Sequence, residues 1–203
     1  GGGNVSVFRF LFVTDTQQRG NAPRCRVDDF PATLERKIAE VGELARRHQV
    51  DAVLHGGDFF DHPVPAPAVA ARFFRAWRRA LGAIPLLVVP GNHDEVGHNP
   101  ELIGRTMLGL GAALGVYELL GREPVVWAKD GLTVQLSGTP YHYDIDRRDP
   151  RLDYVPTDIR ADRAIHIVHG MLGIEPAFPG EYTPVSAIWD QTGADLTLAG
   201  HNH

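Results

Sequence analysis

Short apolar runs, each closed by Gly, Asp, Asn or His, recur along this chain. Val7 to Val13 leads to Asp15, Ala52-Val53-Leu54 to Asp58, and Leu86 to Val89 to Gly91-Asn92-His93-Asp94. Ile165, Ile167 and Val168 lead to His169, and Leu196 and Leu198 to His201 and His203. Runs this short, rich in Val, Ile and Leu and ended by Gly or Asp, predict buried strands. Between the first two, Leu34, Ile38, Val41 and Ala45 return at helical spacing, which predicts a helix from Pro31 to His48. Strand, helix, strand is a βαβ unit, hence a parallel pair with a right-handed crossover. A second helix, Ala68 to Leu81, sets Val69, Phe73, Trp77 and Leu81 on the sheet and Arg72, Arg75 and Arg79 on the opposite side. That arginine row reads first as a solvated face and second as a phosphate-tracking patch.

Further along, a glycine-rich helical stretch, Leu102 to Leu114, precedes an apolar run from Val116 to Leu120. Val125 to Ala128 and Leu132 to Leu136 flank Lys129-Asp130-Gly131, a hairpin signal. Here parallel wiring is expected to give way to a second, antiparallel sheet. Thr139 to Arg163 is a long polar segment with Tyr141, His142, Tyr143 and five arginines, of the kind that is functional or mobile.

Composition narrows the classes. A chain of 203 residues with 43% hydrophobic and 22% charged content is one soluble globular domain. The net charge of −5 gives no overall attraction to nucleic acid, so such binding would need a local basic groove. Cys25 is the single cysteine, which excludes an internal disulfide. Arg9 interrupts the first apolar run, unlike a signal peptide, and no run nears the ~20 residues of a membrane span. The cytoplasm is the default location. Gly1–Gly3 read as a flexible lead or cloning remnant.

In layered α/β proteins ligands gather beyond the carboxyl ends of strands. Five strand ends carrying Asp, Asn and His therefore suggest one shared metal site. In order, the clusters are Asp15-Thr16-Gln17, Gly57-Asp58 with Asp61, Gly91-Asn92-His93-Asp94, His169-Gly170 and Gly200-His201-Asn202-His203. This series resembles the calcineurin-like metallophosphoesterases, whose motifs run D-x-H, G-D, G-N-H-D/E, H and G-H-x-H. The resemblance implies a four-layer αββα sandwich of two mixed β-sheets flanked by helices, with residues 4–203 as catalytic domain. The chain stops within a motif, so a domain truncated at its C-terminal end is expected.

The same resemblance implies two divalent metal ions. Asp15 and His203 would hold the first, Asp58 would bridge, and Asn92, His169 and His201 would complete the second. Mixed oxygen and nitrogen ligation suits Mn2+, Fe2+ or Zn2+ better than calcium, and the resemblance implies Mn2+ as the first choice. His93 corresponds to the family's non-ligating acid, and Asp94 is expected to hold its ring. Asp61 is a weak ligand or an outer contact. One departure is plain: glutamine stands at Gln17 where the family has histidine, a neutral and poorer ligand that weakens the first position.

Gly57-Asp58-Phe59-Phe60-Asp61, a proline loop, a helix, then Ile84 to Asp94 is similar to the nuclease subunit of bacterial SbcCD-type repair complexes. That branch implies a DNA phosphodiester substrate, exonuclease activity and an ATPase partner subunit. His62 and His98 are candidate substrate contacts, and His142 between two tyrosines could stack on a base. His55 and His166 lie within strands and read as satisfied core residues. A phosphoesterase of a small nucleotide or other metabolite is the first alternative. A metal-poor scaffold, supported by Gln17 alone, is the second.

Overall fold

The computed structural model describes residues 7–21, 29–156, 158–173, 182–188 and 193–201. The glycine lead, Cys25, His203 and the side chain of His98 lie outside the described residues. Strand β1 (Phe10–Val13), helix α1 (Phe30–Arg47) and strand β2 (Ala52–His55) form the expected parallel unit, with Phe10 opposite Ala52 and Val13 opposite His55. Helix α1 starts where the Asp29 side chain accepts from the Ala32 amide, beside Pro31 in the first turn. It buries Leu34, Ile38 and Ala45 of the predicted stripe, with Val41 half-buried against the same core. Helix α2 (Pro67–Leu81) buries Phe73, Phe74 and Trp77 and ends at Gly82 with φ +57°. In its arginine row, Arg72 pairs with Glu35 of α1, while Arg75 and Arg79 make no ion pair among the described residues.

Strands β3 (Leu86–Val88) and β4 (Glu118–Leu119) extend the first sheet in the order β1-β2-β3-β4. Every pairing in it is parallel, so this sheet is not mixed as expected. The expected helix over 102–114 is also corrected: a 3-10 segment, Pro100–Arg105, gives way at Thr106 to a short helix α3, Met107–Ala113. The Thr106 hydroxyl donates to the Ile103 carbonyl and accepts from the Gly109 amide, capping a new start inside the run.

The second sheet runs β10-β7-β6-β5, built from β5 (Val125–Lys129), β6 (Leu132–Thr139), β7 (Arg163–His169) and β10 (Leu196–Gly200). Only the β5–β6 hairpin is antiparallel; β6–β7 and β7–β10 are parallel, so the sheet is mixed. Asp130 (φ +50°) and Gly131 (φ +80°) make the tight turn that this hairpin's twist requires.

Alternation along the strands sorts the core into layers. Val53, Leu86 and Val88 face α1 and α2, whereas Ala52, Leu54, Leu87 and Val89 meet Val134, Leu136 and Ile167 of the second sheet. On the outer side of the second sheet, Val168 packs with Ile145, Tyr154 and Ile188. Among the described residues, this fourth layer is made of 3-10 turns, Ile145–Arg147, Pro150–Leu152 and Val185–Ala187, rather than α-helices. A short parallel pair, β8 (Leu172–Gly173) and β9 (Thr183–Pro184), closes that side.

Candidate metal centre

The corners after β1 and β2 are locked together by backbone. The Asp15, Gln17 and Gln18 amides donate to the Gly57, Asp58 and Phe59 carbonyls at 2.9, 2.8 and 3.0 Å. Asp15, Gln17 and Asp58 all take φ near +50°, a left-handed turn that Asp tolerates better than most residues. Two glycines let these corners close on β7. A Cβ on Gly57, at φ +103°, would lie 2.4 Å from His169 Nδ1; one on Gly91 would lie 2.3 Å from the Asp58 amide. Any other residue at either position would push the strand ends apart.

Into this space converge one carboxylate, one amide and two imidazoles. Ligand atoms of Asp58, His169 and His201 lie within 4.8 Å of one another. Asn92 Oδ1 sits 2.9 Å from His169 Nε2 and 3.2 Å from His201 Nδ1. His169 Nδ1 donates to the Gly56 carbonyl at 2.7 Å, so its Nε2 carries the lone pair. In this orientation the Asn92 oxygen faces only acceptors; turned end for end, its NH2 donates to Asp58 at 3.1 and 3.2 Å and to both histidines. Oxygen and nitrogen lone pairs gathered on one point are the donor set of a borderline divalent cation, so the residues fit the metal that the sequence implies.

Asp58 is buried, yet His169 beside it and the His93 amide, which donates to Oδ1 at 2.9 Å, hold its carboxyl well below the usual range. Burial works against charge on His169 too, but the Asp58 carboxylate outweighs it and raises the imidazole. Asp15 borders the cluster: its Oδ2 accepts from the Thr14 hydroxyl (2.6 Å) and the His201 amide (3.2 Å), while its buried Oδ1 has no partner among the described residues.

His93 and Asp94 require a correction. The His93 ring donates from Nδ1 to the Asp61 backbone carbonyl at 2.8 Å, not to Asp94. Asp94 is fully buried and accepts the amides of Gly91 (2.9 Å), Phe59 (3.1 Å) and Phe60 (2.9 Å). It ties the β3 corner to the β2 corner and does not orient the His93 ring. Burial pushes its carboxyl up to about 6, opposed by those three amides. The Asp61 carboxylate pairs with Arg19 at 3.0 Å, and its carbonyl meets the His93 ring.

Of the candidate substrate contacts, His62 is exposed, and His142 is bonded to Asp144 and lies against Tyr143, the rings tilted by 35° with centroids 4.6 Å apart. His55 and His166 are fully buried, as expected for core residues. Three further residues went unread in the sequence. Tyr141 lies against His169 and His201, with ring centroids 6.1 and 5.8 Å away. Asp146 accepts from the Tyr154 and Thr183 hydroxyls and the Met171 amide, anchoring the loop after His169. Glu95 is buried with neither carboxylate oxygen bonded among the described residues. Burial, then Asp94 and Asp58, push it up to about 9, so it is neutral at pH 7. Position after Gly-Asn-His-Asp was the sole signal for Glu95, and it says nothing of burial.

Comparison with known proteins agrees with this geometry. The calcineurin-like phosphoesterase family model matches residues 8–203. The DNA double-strand break repair protein Mre11 of Haloferax volcanii is 30% identical over 204 residues, covering 96% of this chain and 41% of that protein. The chain thus spans about two fifths of the length of that relative. The crystal structure of TT1561 of Thermus thermophilus superposes with a TM-score of 0.55 at 14% identity, over 96% of this chain and 81% of that one. At that identity the likeness speaks for the fold alone.

Proposed function

This chain belongs to the calcineurin-like phosphoesterase family of metal-dependent hydrolases, and on that footing we propose that it hydrolyses phosphodiester bonds of DNA. The convergence of Asp58, Asn92, His169 and His201 on one point carries the reading as a metal centre. The likeness to a relative named for DNA double-strand break repair carries the choice of DNA. In the same reading the enzyme uses two divalent ions, Mn2+ first, works in the cytoplasm, and receives DNA under the control of an ATPase subunit. No helix among the described residues is long and apolar enough to cross a membrane.

Bound there, divalent cations polarise a phosphoryl oxygen and lower the pKa of water from 15.7 towards ~7. The chain itself does the rest. Asp58, Asn92, His169 and His201 would hold the cation, with Asp15 beside them. The Nδ1–H of His93 is spent on the Asp61 carbonyl, which leaves Nε2 as the atom that delivers a proton to the leaving oxygen. Asp94 and the backbone zipper keep the corners from spreading when charge builds up.

A small-nucleotide diester is the second reading, and it draws on Tyr141, whose ring borders the two histidines as a base-stacking surface would. The test is Mn2+-dependent hydrolysis of end-labelled single- and double-stranded DNA beside bis-p-nitrophenyl phosphate. Cleavage of DNA, lost in Asp58→Ala, supports the nuclease. Turnover of the small diester alone transfers support to the second reading. Silence on both leaves the scaffold alternative standing.

A further inference from the structure

The two oxygens of Asp58 meet unlike surroundings. Oδ1 faces the cluster: His169 Nε2 is 3.5 Å away and the His93 amide donates to it. Oδ2 meets the turned Asn92 NH2 at 3.2 Å and, unlike Oδ1, also faces Gln17, whose Nε2 donates to it at 3.5 Å. The Gln17 backbone is fixed at this corner, its amide donating to the Asp58 carbonyl at 2.8 Å with φ +45°. An N–H donor therefore stands on the side of Asp58 where a second cation would draw on Oδ2. To serve as a ligand, the amide must turn its oxygen inward, losing that bond and offering only a neutral donor. Beside it, Asp15 Oδ1 is a buried carboxylate oxygen with no partner among the described residues, so an anionic donor does remain at this corner. Across the carboxylate, by contrast, three donors, Asn92, His169 and His201, already converge on it.

We propose that the two cation positions of this chain are unequal. One ion is held firmly by Asp58, Asn92, His169 and His201. The other, the position that the sequence assigns to Asp15 and His203 with Gln17 beside them, is labile, and Gln17 sets the difference. Occupancy of the second position, and with it the competent state of the enzyme, then follows the free metal concentration. The inference rests on the metal-dependent reading of the site.

Equilibrium dialysis against graded Mn2+, with metal content measured directly and electron paramagnetic resonance on the same samples, tests it without recourse to activity. The unmodified chain is expected to retain one equivalent and to take the second at least about tenfold more weakly, the smallest loss that a damaged ligand environment brings. Its spectrum at one equivalent is that of isolated Mn2+, and signals of a coupled pair grow in only beyond it. Gln17→His should narrow the gap and bring the coupled signal to lower metal. Histidine tolerates a left-handed backbone, and the metal-free melting temperature checks that the variant folds. Gln17→Glu, which replaces the N–H donor by an anionic oxygen, is the second variant and should also narrow the gap. Two equal equivalents in the unmodified chain, or a gap that neither substitution narrows, overturns the proposal. Absence of Mn2+ binding in every protein overturns instead the metal reading on which it stands.

Discussion

Strand β7 carries two histidines three positions apart that are put to opposite uses. His166, in the layer beneath the strand ends, has every nitrogen met by protein: Ser137 Oγ lies 2.8 Å from Nδ1, Thr139 Oγ1 2.9 Å and the Asp153 carbonyl 3.2 Å from Nε2. His169, at the end of the same strand, gives one nitrogen to a carbonyl and turns the other to a carboxylate, an amide oxygen and a second imidazole. His55 repeats the lower pattern on β2, accepting the Gly57 amide at 3.1 Å and meeting Thr16 Oγ1 at 3.0 Å. Burial does not separate the two kinds, because all three rings are fully buried. What separates them is the company of the second nitrogen. A ring closed by neutral partners is structure, and a ring left facing other lone pairs is poised for a cation.

The largest test of that contrast is Asp58→Ala, which removes the one carboxylate at the centre. Losing several kcal/mol of transition-state stabilisation corresponds to a fall of about 10³-fold or more in the turnover of bis-p-nitrophenyl phosphate. A variant with unimpaired turnover would refute the centre. Next is His93→Asn, expected to slow turnover by ~10²–10⁴-fold while metal content stays level. If metal is lost instead, His93 belongs with the ligands and not with the acid.

The lower layer is read through stability. Burial holds His166 down to about 4 and His55 down to about 3, against 6.5 in the unfolded chain. Below pH 6.5 the unfolded chain takes up protons that the folded one refuses, so stability falls with pH until the folded values are passed. His166 alone accounts for a loss on the order of 3 kcal/mol. Urea titrations of the metal-free protein from pH 7 to 4 measure it, and His166→Gln should flatten the slope; an unchanged slope would place the effect elsewhere. The smallest effect is a control remote from both layers. Asp29→Ala removes the cap of α1 and should cost about 1 kcal/mol in the same titration, with turnover and metal content untouched.

Much of this architecture was legible in the linear pattern. Both helices facing the first sheet begin and end within a residue or two of their apolar stripes, and each predicted strand carries its polar residues at its end. Periodicity reports the face that must be buried, and these faces are wide. It was blind where one side chain overrules a stretch, as Thr106 does in capping a new helix start. It was blind also to covering layers made of turns: Ile145, Tyr154 and Ile188 share no period. Asp94 shows the limit most clearly. Its place next to His93 suggested a partner for that ring, yet the carboxylate takes the Phe59 and Phe60 amides, 35 and 34 positions back in the chain, and that of Gly91, three positions back.

By itself, then, the sequence determined which residue types end the strands, and hence that Asp, Asn and His would gather at one edge of a layered fold and place the chain among the phosphoesterases. Only the tertiary structure decided which nitrogen of each imidazole is spent and that Asp94 braces corners. It alone showed that Glu95 is buried with no partner among the described residues and that Gln17 lays an N–H against Asp58. The reason is physical. Side-chain type and spacing follow from bonds along the chain, whereas a protonation state or a ligand's aim is set by atoms that become neighbours when two sheets close.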